Sequence, residues 1–214
     1  MARKPIDLDK DIIEGFNLTF DQVDSWEEAH FVWWALEMME AGYIHRLYRA
    51  VTYDLSDFLD VWYEVHLKTK TNKKHKCILQ PHEYTPDFQV EWTPKGHKKL
   101  LSVIDRMVNP KSYFWANDID GRPVSIIEVK PSFDKNNMTR LARVNIKWVL
   151  QKYGLYVQIV DNSVVMSKRC EIKNKNCLFN STFMPKRYLQ TDNSRIKRKI
   201  SYEYQTIEQW QKSI

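Results

Sequence analysis

The chain has 214 residues, 43% hydrophobic and 28% charged, which excludes a disordered tail and gives enough material for one well-buried domain, or one domain with an extension. A formal charge of +6 favours a polyanionic partner, and three cysteines, an odd number, fit a reducing compartment better than a disulfide scaffold. The opening MARKPIDLDKDIIEG has no apolar signal core, and no apolar run reaches membrane-spanning length. The expectation is therefore a cytoplasmic protein, bacterial or in phage-infected host cytosol, with no membrane partner.

In chain order, residues 1–20 read as a loosely attached lead-in. A helix follows over about 25–41, with Ala29, Val32, Trp33, Leu36 and Met39 at helical spacing and Gly42 closing it. HRLYRAVTYDLSD and VWYEVHLKTK read as two strands, and KTKTNKKHK at 68–76 as a basic loop between strands. EYTPDFQVEW, residues 83–92, alternates an apolar face (Tyr84, Pro86, Phe88, Val90, Trp92) with a polar one (Thr85, Asp87, Gln89, Glu91), so it predicts one strand. Residues 93–122 form an insertion ending in the turn DIDGRP. PVSIIEVKP at 123–131 is an apolar strand. Asp134 then caps a helix whose buried stripe is expected to be Met138, Leu141, Val144, Trp148 and Val149, stopped by Gly154. LYVQIV at 155–160 completes a strand–helix–strand crossover, which requires its two strands to be parallel in one sheet. Residues 166–214 read as a basic C-terminal extension, either β-rich or partly ordered. Between Lys168 and Lys199, ten Lys/Arg face two acids, and QTIEQWQKSI closes the chain as a short helix.

Glu128 and Lys130 lie two apart on their strand, so both side chains leave one face. Asp87 leaves the polar face of its own strand. If the two strands are neighbours, two acids and an amine converge at the sheet edge, and Pro86 is a strand-edge residue that sets the bend aiming Asp87. The sequence Pro86-Asp87, then Glu128-Val129-Lys130, after a helix beginning Ser25-Trp26-Glu27-Glu28, resembles the PD-(D/E)xK nuclease superfamily over roughly residues 25–160. Within it, the layout looks most like phage junction-resolving endonucleases and transposon end-cutting subunits. The resemblance implies an α/β, restriction-endonuclease-like core over 1–165, a mixed central sheet flanked by helices, with the basic extension appended. It implies a catalytic set of Glu28, Asp87, Glu128 and Lys130, and Mg²⁺ (Mn²⁺ substituting) held by Asp87, Glu128, Glu28 and the Val129 carbonyl. Carboxylates are the ligands a hard cation selects, and a metal polarises a scissile phosphate and lowers the pKa of bound water. Lys130 then orients or deprotonates the water, or stabilises transition-state charge. For Glu28 the competing role is a capping box with Ser25, and Glu27 is its alternative as the helix-borne acid.

The implied activity is a metal-dependent endodeoxyribonuclease acting on branched or otherwise structured DNA. Its competitors are a transposase-type or strand-end nuclease, an RNA nuclease, and a non-catalytic DNA-binding or virion protein. Paired cuts would call for a homodimer, for which Trp33 and Trp34 are available, core packing being their ordinary role. Arg140, Arg143 and Lys147 share one polar helix stripe with Gln151 and are candidate phosphate contacts. Lys73 and Lys74 in the basic run, and Arg195, Lys197 and Arg198 in the extension, are the others. No G-x-x-x-x-G-K-[ST] occurs, so no nucleotide cofactor is expected.

Overall fold

A computed structural model describes residues 5–96, 101–103, 113–130, 138–162, 177–189 and 204–214. It is a mixed α/β structure. The helices are α1 (Lys10–Phe16), α2 (Trp26–Glu40), α3 (Met138–Tyr153), α4 (Leu178–Ser181), α5 (Lys186–Leu189) and α6 (Ile207–Gln211). The main sheet contains β3 (Ile44–Arg49), β8 (Phe88–Trp92), β11 (Arg122–Val129), β10 (Phe114–Ile119), β9 (Leu101–Val103) and β12 (Val157–Val160). β8 runs antiparallel to both β3 and β11. On its other edge, β11 pairs with β10 through its first residues and with β12, in parallel, through its last.

The crossover β11–α3–β12 is therefore parallel, as an apolar strand, an amphipathic helix and a second apolar strand require. DIDGRP is a two-residue hairpin turn in which Asp120 (φ 53°) and Gly121 (φ 74°) take the left-handed backbone that matches strand twist. Alternation along β11 sends Ile127 and Val129 into the cluster built around α2, and Ile126 into a second cluster with Ile146 and Val149 of α3. The sheet is covered on both faces.

α2 begins where its sequence predicts. Ser25 caps it by accepting the Glu28 N–H, and Gly42 (φ 74°) lies just past its end. It is buried on nearly every side, including Phe31 and Trp34, because both chain ends wrap it. Residues 5–20 are not a loose lead-in: β1 (Ile6–Asp7) pairs with β2 (Gln22–Val23), and Leu8, Ile12 and Leu18 enter the core. The described parts of 166–214 likewise correct the expectation of an appendage. They are helical, and Leu178, Phe179, Phe183, Met184, Ile207 and Trp210 share the α2 core. Trp34 donates its indole N–H to Thr182 (3.0 Å), so it serves core packing.

Three further expectations change. The 83–92 stretch is two strands, β7 (His82–Tyr84) and β8, because Pro86 has no N–H for the ladder. HRLYRAVTYDLSD is likewise divided into β3 and β4 (Tyr53–Ser56), which pairs with β7 outside the main sheet. The basic run at 68–76 is mostly strand. β6 (Thr71–Leu79) pairs antiparallel with β5 (Leu59–His66), leaving only 67–70 as the turn.

α3 buries a different stripe from the expected one. Ala142, Asn145, Ile146 and Val149 face the protein, while Leu141, Val144 and Trp148 are exposed. Small Ala142 permits close approach, and Asn145 meets His82 Nε2 through Oδ1 (2.9 Å), so a polar residue occupies the buried face. The Met138 side chain and Asp134 lie outside the described residues. No helix among the described residues is long and apolar enough to cross a membrane.

Candidate active site

β8 starts where β11 ends, and this places Asp87 against the Glu128-Val129-Lys130 segment. The Asp87 N–H donates to the Ile127 carbonyl (3.0 Å), and the Val129 N–H donates to Asp87 Oδ2 (2.6 Å). The latter bond orients the carboxyl against the β11 backbone. Glu128 is buried. Its Oε2 accepts from the Tyr84 hydroxyl (2.9 Å), and its Oε1 lies 2.6 Å from Lys130 Nζ. Lys130 is itself fixed by its N–H, which donates to the Val160 carbonyl of the parallel neighbour (3.0 Å). Asp87, Glu128 and Lys130, separated by forty residues of chain, are thus brought together at one corner of the sheet.

Glu28 approaches the same corner from the first turn of α2, already committed to partners. Its Oε1 accepts from Ser25 Oγ (2.9 Å), while its Oε2 accepts from the Asp24 N–H (3.2 Å) and from Arg49 (2.8 Å). The capping arrangement is therefore present. Glu28 acts on the corner through its charge, which is felt at both Asp87 and Lys130.

The electrostatics follow from this crowding. Burial, then the Glu128 and Glu28 charges, push the Asp87 carboxyl up to about 8, against the opposing pull of Lys130 and the Val129 N–H. Burial alone would lower the Lys130 amine, but Glu128 beside it, then Asp87 and Glu28, outweigh burial and hold it above the ordinary lysine value. Burial and the Glu128 carboxylate raise the Tyr84 phenol, so its hydroxyl keeps its proton and donates. Three acids face two bases, Lys130 and Arg49, in a half-buried setting.

Carboxyl oxygens are the donors a hard divalent cation selects, and a cation here would displace the proton that Asp87 holds below about 8. Among the described residues no group of three or more His, Cys, Asp or Glu side chains is arranged to hold a metal ion. Asp87 and Glu128 are the two carboxyl groups at this corner that would offer oxygens to such a cation.

Two contributors were not read from the sequence. Tyr84 belongs to the apolar alternation of its strand and gave no sign of holding Glu128. Arg49, which pairs Glu28 and lies over the Phe88 ring (5.1 Å), stands at the end of a strand with no motif around it.

The nucleic-acid candidates divide into three. Arg140, Arg143 and Lys147 are exposed on α3, beside the exposed Leu141, Val144 and Trp148. Lys73 and Lys74 are exposed on strand β6 instead of in a loop. Arg195, Lys197 and Arg198 lie outside the described residues. Comparison of the chain with protein-family models, curated proteins and solved structures gives no match.

Proposed function

We propose that the protein is a metal-dependent endodeoxyribonuclease that hydrolyses phosphodiester bonds at the Asp87–Glu128–Lys130 corner. The observation that carries this is a buried carboxyl, Glu128, and a partly buried one, Asp87, that raise each other's cost of ionisation beside a charged amine, with Asp87 pushed up to about 8. Such a cluster is costly to keep in a fold unless a cation or a developing charge uses it. The order helix, three antiparallel strands, helix and parallel strand (α2, β3, β8, β11, α3, β12) is the arrangement expected of a restriction-endonuclease-like core and supports the same reading.

Asp87 and Glu128 would hold Mg²⁺, or Mn²⁺ in its place. Bound there, the ion supplies Lewis-acid polarisation of a phosphate oxygen and a water of lowered pKa. The rest is done by the chain. The Val129 N–H fixes the direction of the Asp87 carboxyl, and Tyr84 fixes that of Glu128. Glu128 and Asp87 hold the Lys130 amine above the ordinary lysine value, which suits it to donate to the phosphate oxygen that gains charge. Arg49 holds Glu28 and limits the excess negative charge beside the substrate.

DNA, branched or otherwise structured, is the favoured substrate, and Arg140, Arg143 and Lys147 are candidate backbone contacts. The test is incubation with supercoiled plasmid, linear duplex, four-way junction and RNA, each with Mg²⁺ or with EDTA. Cutting of DNA only with the metal, and preferentially at the junction, is the expected result. Tight binding without cutting in Mg²⁺ or Mn²⁺ would instead favour a binding protein built on the same fold.

A further inference from the structure

Among the described residues, β5 and β6 pair only with each other. Their eight matched positions make a two-stranded ribbon of about 27 Å at ~3.4 Å per residue. Nearly every side chain on both faces is exposed, Trp62 by 71%. A lone hairpin is marginal in water, so one that is retained needs a reason outside its own packing. It is also continuous with the catalytic corner. The same two chain segments run on through β4 and β7 into β3 and β8, Tyr84 of β7 donates to Glu128, and Asp87 immediately precedes β8.

The register sorts its charges by face, because directly paired residues project to the same side. On one face stand Trp62 opposite His75, Asp60 opposite Cys77, and Glu64 opposite Lys73. That face holds its own acids: Asp60 lies 2.6 Å from His75, the Trp62 ring packs on His75, and Glu64 faces Lys73. On the other face Val61 stands opposite Lys76, Tyr63 opposite Lys74 and Val65 opposite Asn72, with no acid among them. The connecting turn adds Lys68 and Lys70, again without an acid. The ribbon therefore has one face that mixes acids with bases and one cationic face carrying an exposed tyrosine. Lys74 and Lys76, two residues apart, repeat at about 7 Å, on the order of two nucleotide rises along one strand.

We infer that this hairpin is an arm that grips the phosphate backbone of the DNA brought to the Asp87–Glu128 corner, through Lys74 and Lys76, with Tyr63 directly opposite Lys74. The inference rests on the nuclease reading for its substrate, but its signature is binding, not cutting. It assigns Lys74 to the contact and removes Lys73 from it, although the two are adjacent.

The test measures equilibrium binding of the full chain to a fluorescent duplex in EDTA across a salt series. Lys74→Ala/Lys76→Ala is expected to bind roughly tenfold or more weakly at about 0.1 M salt, with the log–log salt slope reduced by about two. Lys74→Arg/Lys76→Arg keeps the wild-type slope, and Lys73→Ala leaves affinity within about twofold. An unchanged slope in the double alanine variant, or an equal loss from Lys73→Ala, overturns the arm. A wild-type chain that binds duplex but cuts nothing in Mg²⁺ or Mn²⁺ sinks the nuclease reading and leaves the arm standing. Cutting that persists while the double variant binds with wild-type slope does the reverse.

Discussion

The carboxylate corner and the β5–β6 arm are joined by the same two stretches of chain, yet they treat charge in opposite ways. At the corner, charges are buried or partly buried and act on one another: Asp87 is displaced to about 8, and Glu128 is held by both Tyr84 and Lys130. On the arm, charges are exposed, and Asp60 and His75, 2.6 Å apart, are both partly open to solvent. Proximity in low dielectric makes each group at the corner depend on the others, whereas solvent and salt screen the arm. Changes at the corner should therefore be felt in chemistry and stability, and changes on the arm in partner binding.

The largest expected effect is on catalysis. Asp87→Ala should reduce plasmid cutting below detection and Lys130→Ala should lower kcat by about a hundredfold or more, with duplex binding in EDTA largely kept. Normal turnover in either variant removes the corner from the chemistry and erases the contrast with the arm.

Next is a stability effect confined to the corner. Arg49→Ala leaves Glu28 buried without its base. Because Arg49 is itself 32% exposed, the loss should be about 2 kcal/mol, below the range for a fully buried pair. Urea unfolding measures it, and a loss under about 0.5 kcal/mol would make the pair a screened surface contact like those on the arm.

The pH dependence sharpens the same point. Asp87 has a folded-state pKa near 8 against an ordinary 3.8, so between those values the folded protein binds the extra proton. Metal-free stability should therefore fall as pH rises from about 4 to about 8. Asp87→Asn should remove that slope and melt higher than wild type at about pH 8.5 in EDTA. Thermal melts across pH measure this, and a wild-type Tm that rises over the same window contradicts it.

Smaller still is Tyr84→Phe, which takes the donor from Glu128 Oε2 and should cost about 1–2 kcal/mol. Smallest is Asp60→Asn on the arm, expected to change stability by under about 1 kcal/mol with no effect on cutting. A greater loss from Asp60→Asn than from Tyr84→Phe in parallel unfolding curves would invert the comparison.

How legible the protein was in its sequence follows the same division. The capping signal Ser25…Glu28, the apolar run before Glu128 and the Asp120-Gly121 turn are local signals, and each element formed where its signal stood. The meeting of Asp87 with Glu128 was also expected, although Asp87 lies in the break between β7 and β8 and is aimed by its bond from the Val129 N–H, not by alternation within a strand.

The arm was not legible. A run of lysines has no apolar period of its own, and β6 is a strand only because β5 pairs with it. The buried face of α3 was hidden for another reason: Ala142 and Asn145 are turned inward and Trp148 outward, the reverse of what side-chain size suggests. Tyr84 and Arg49 carry no motif, so their link to Glu128 and Glu28 existed only in three dimensions.

The most direct test of the central claim is calorimetric titration of Mn²⁺ into the metal-free protein near pH 7, repeated in buffers of different ionisation enthalpy. One ion should bind per chain with release of about one proton, since Asp87 must surrender the proton it holds below about 8, and Asp87→Asn should lose the proton release and most of the affinity. Absence of binding, or identical binding and proton release in Asp87→Asn, would contradict the account.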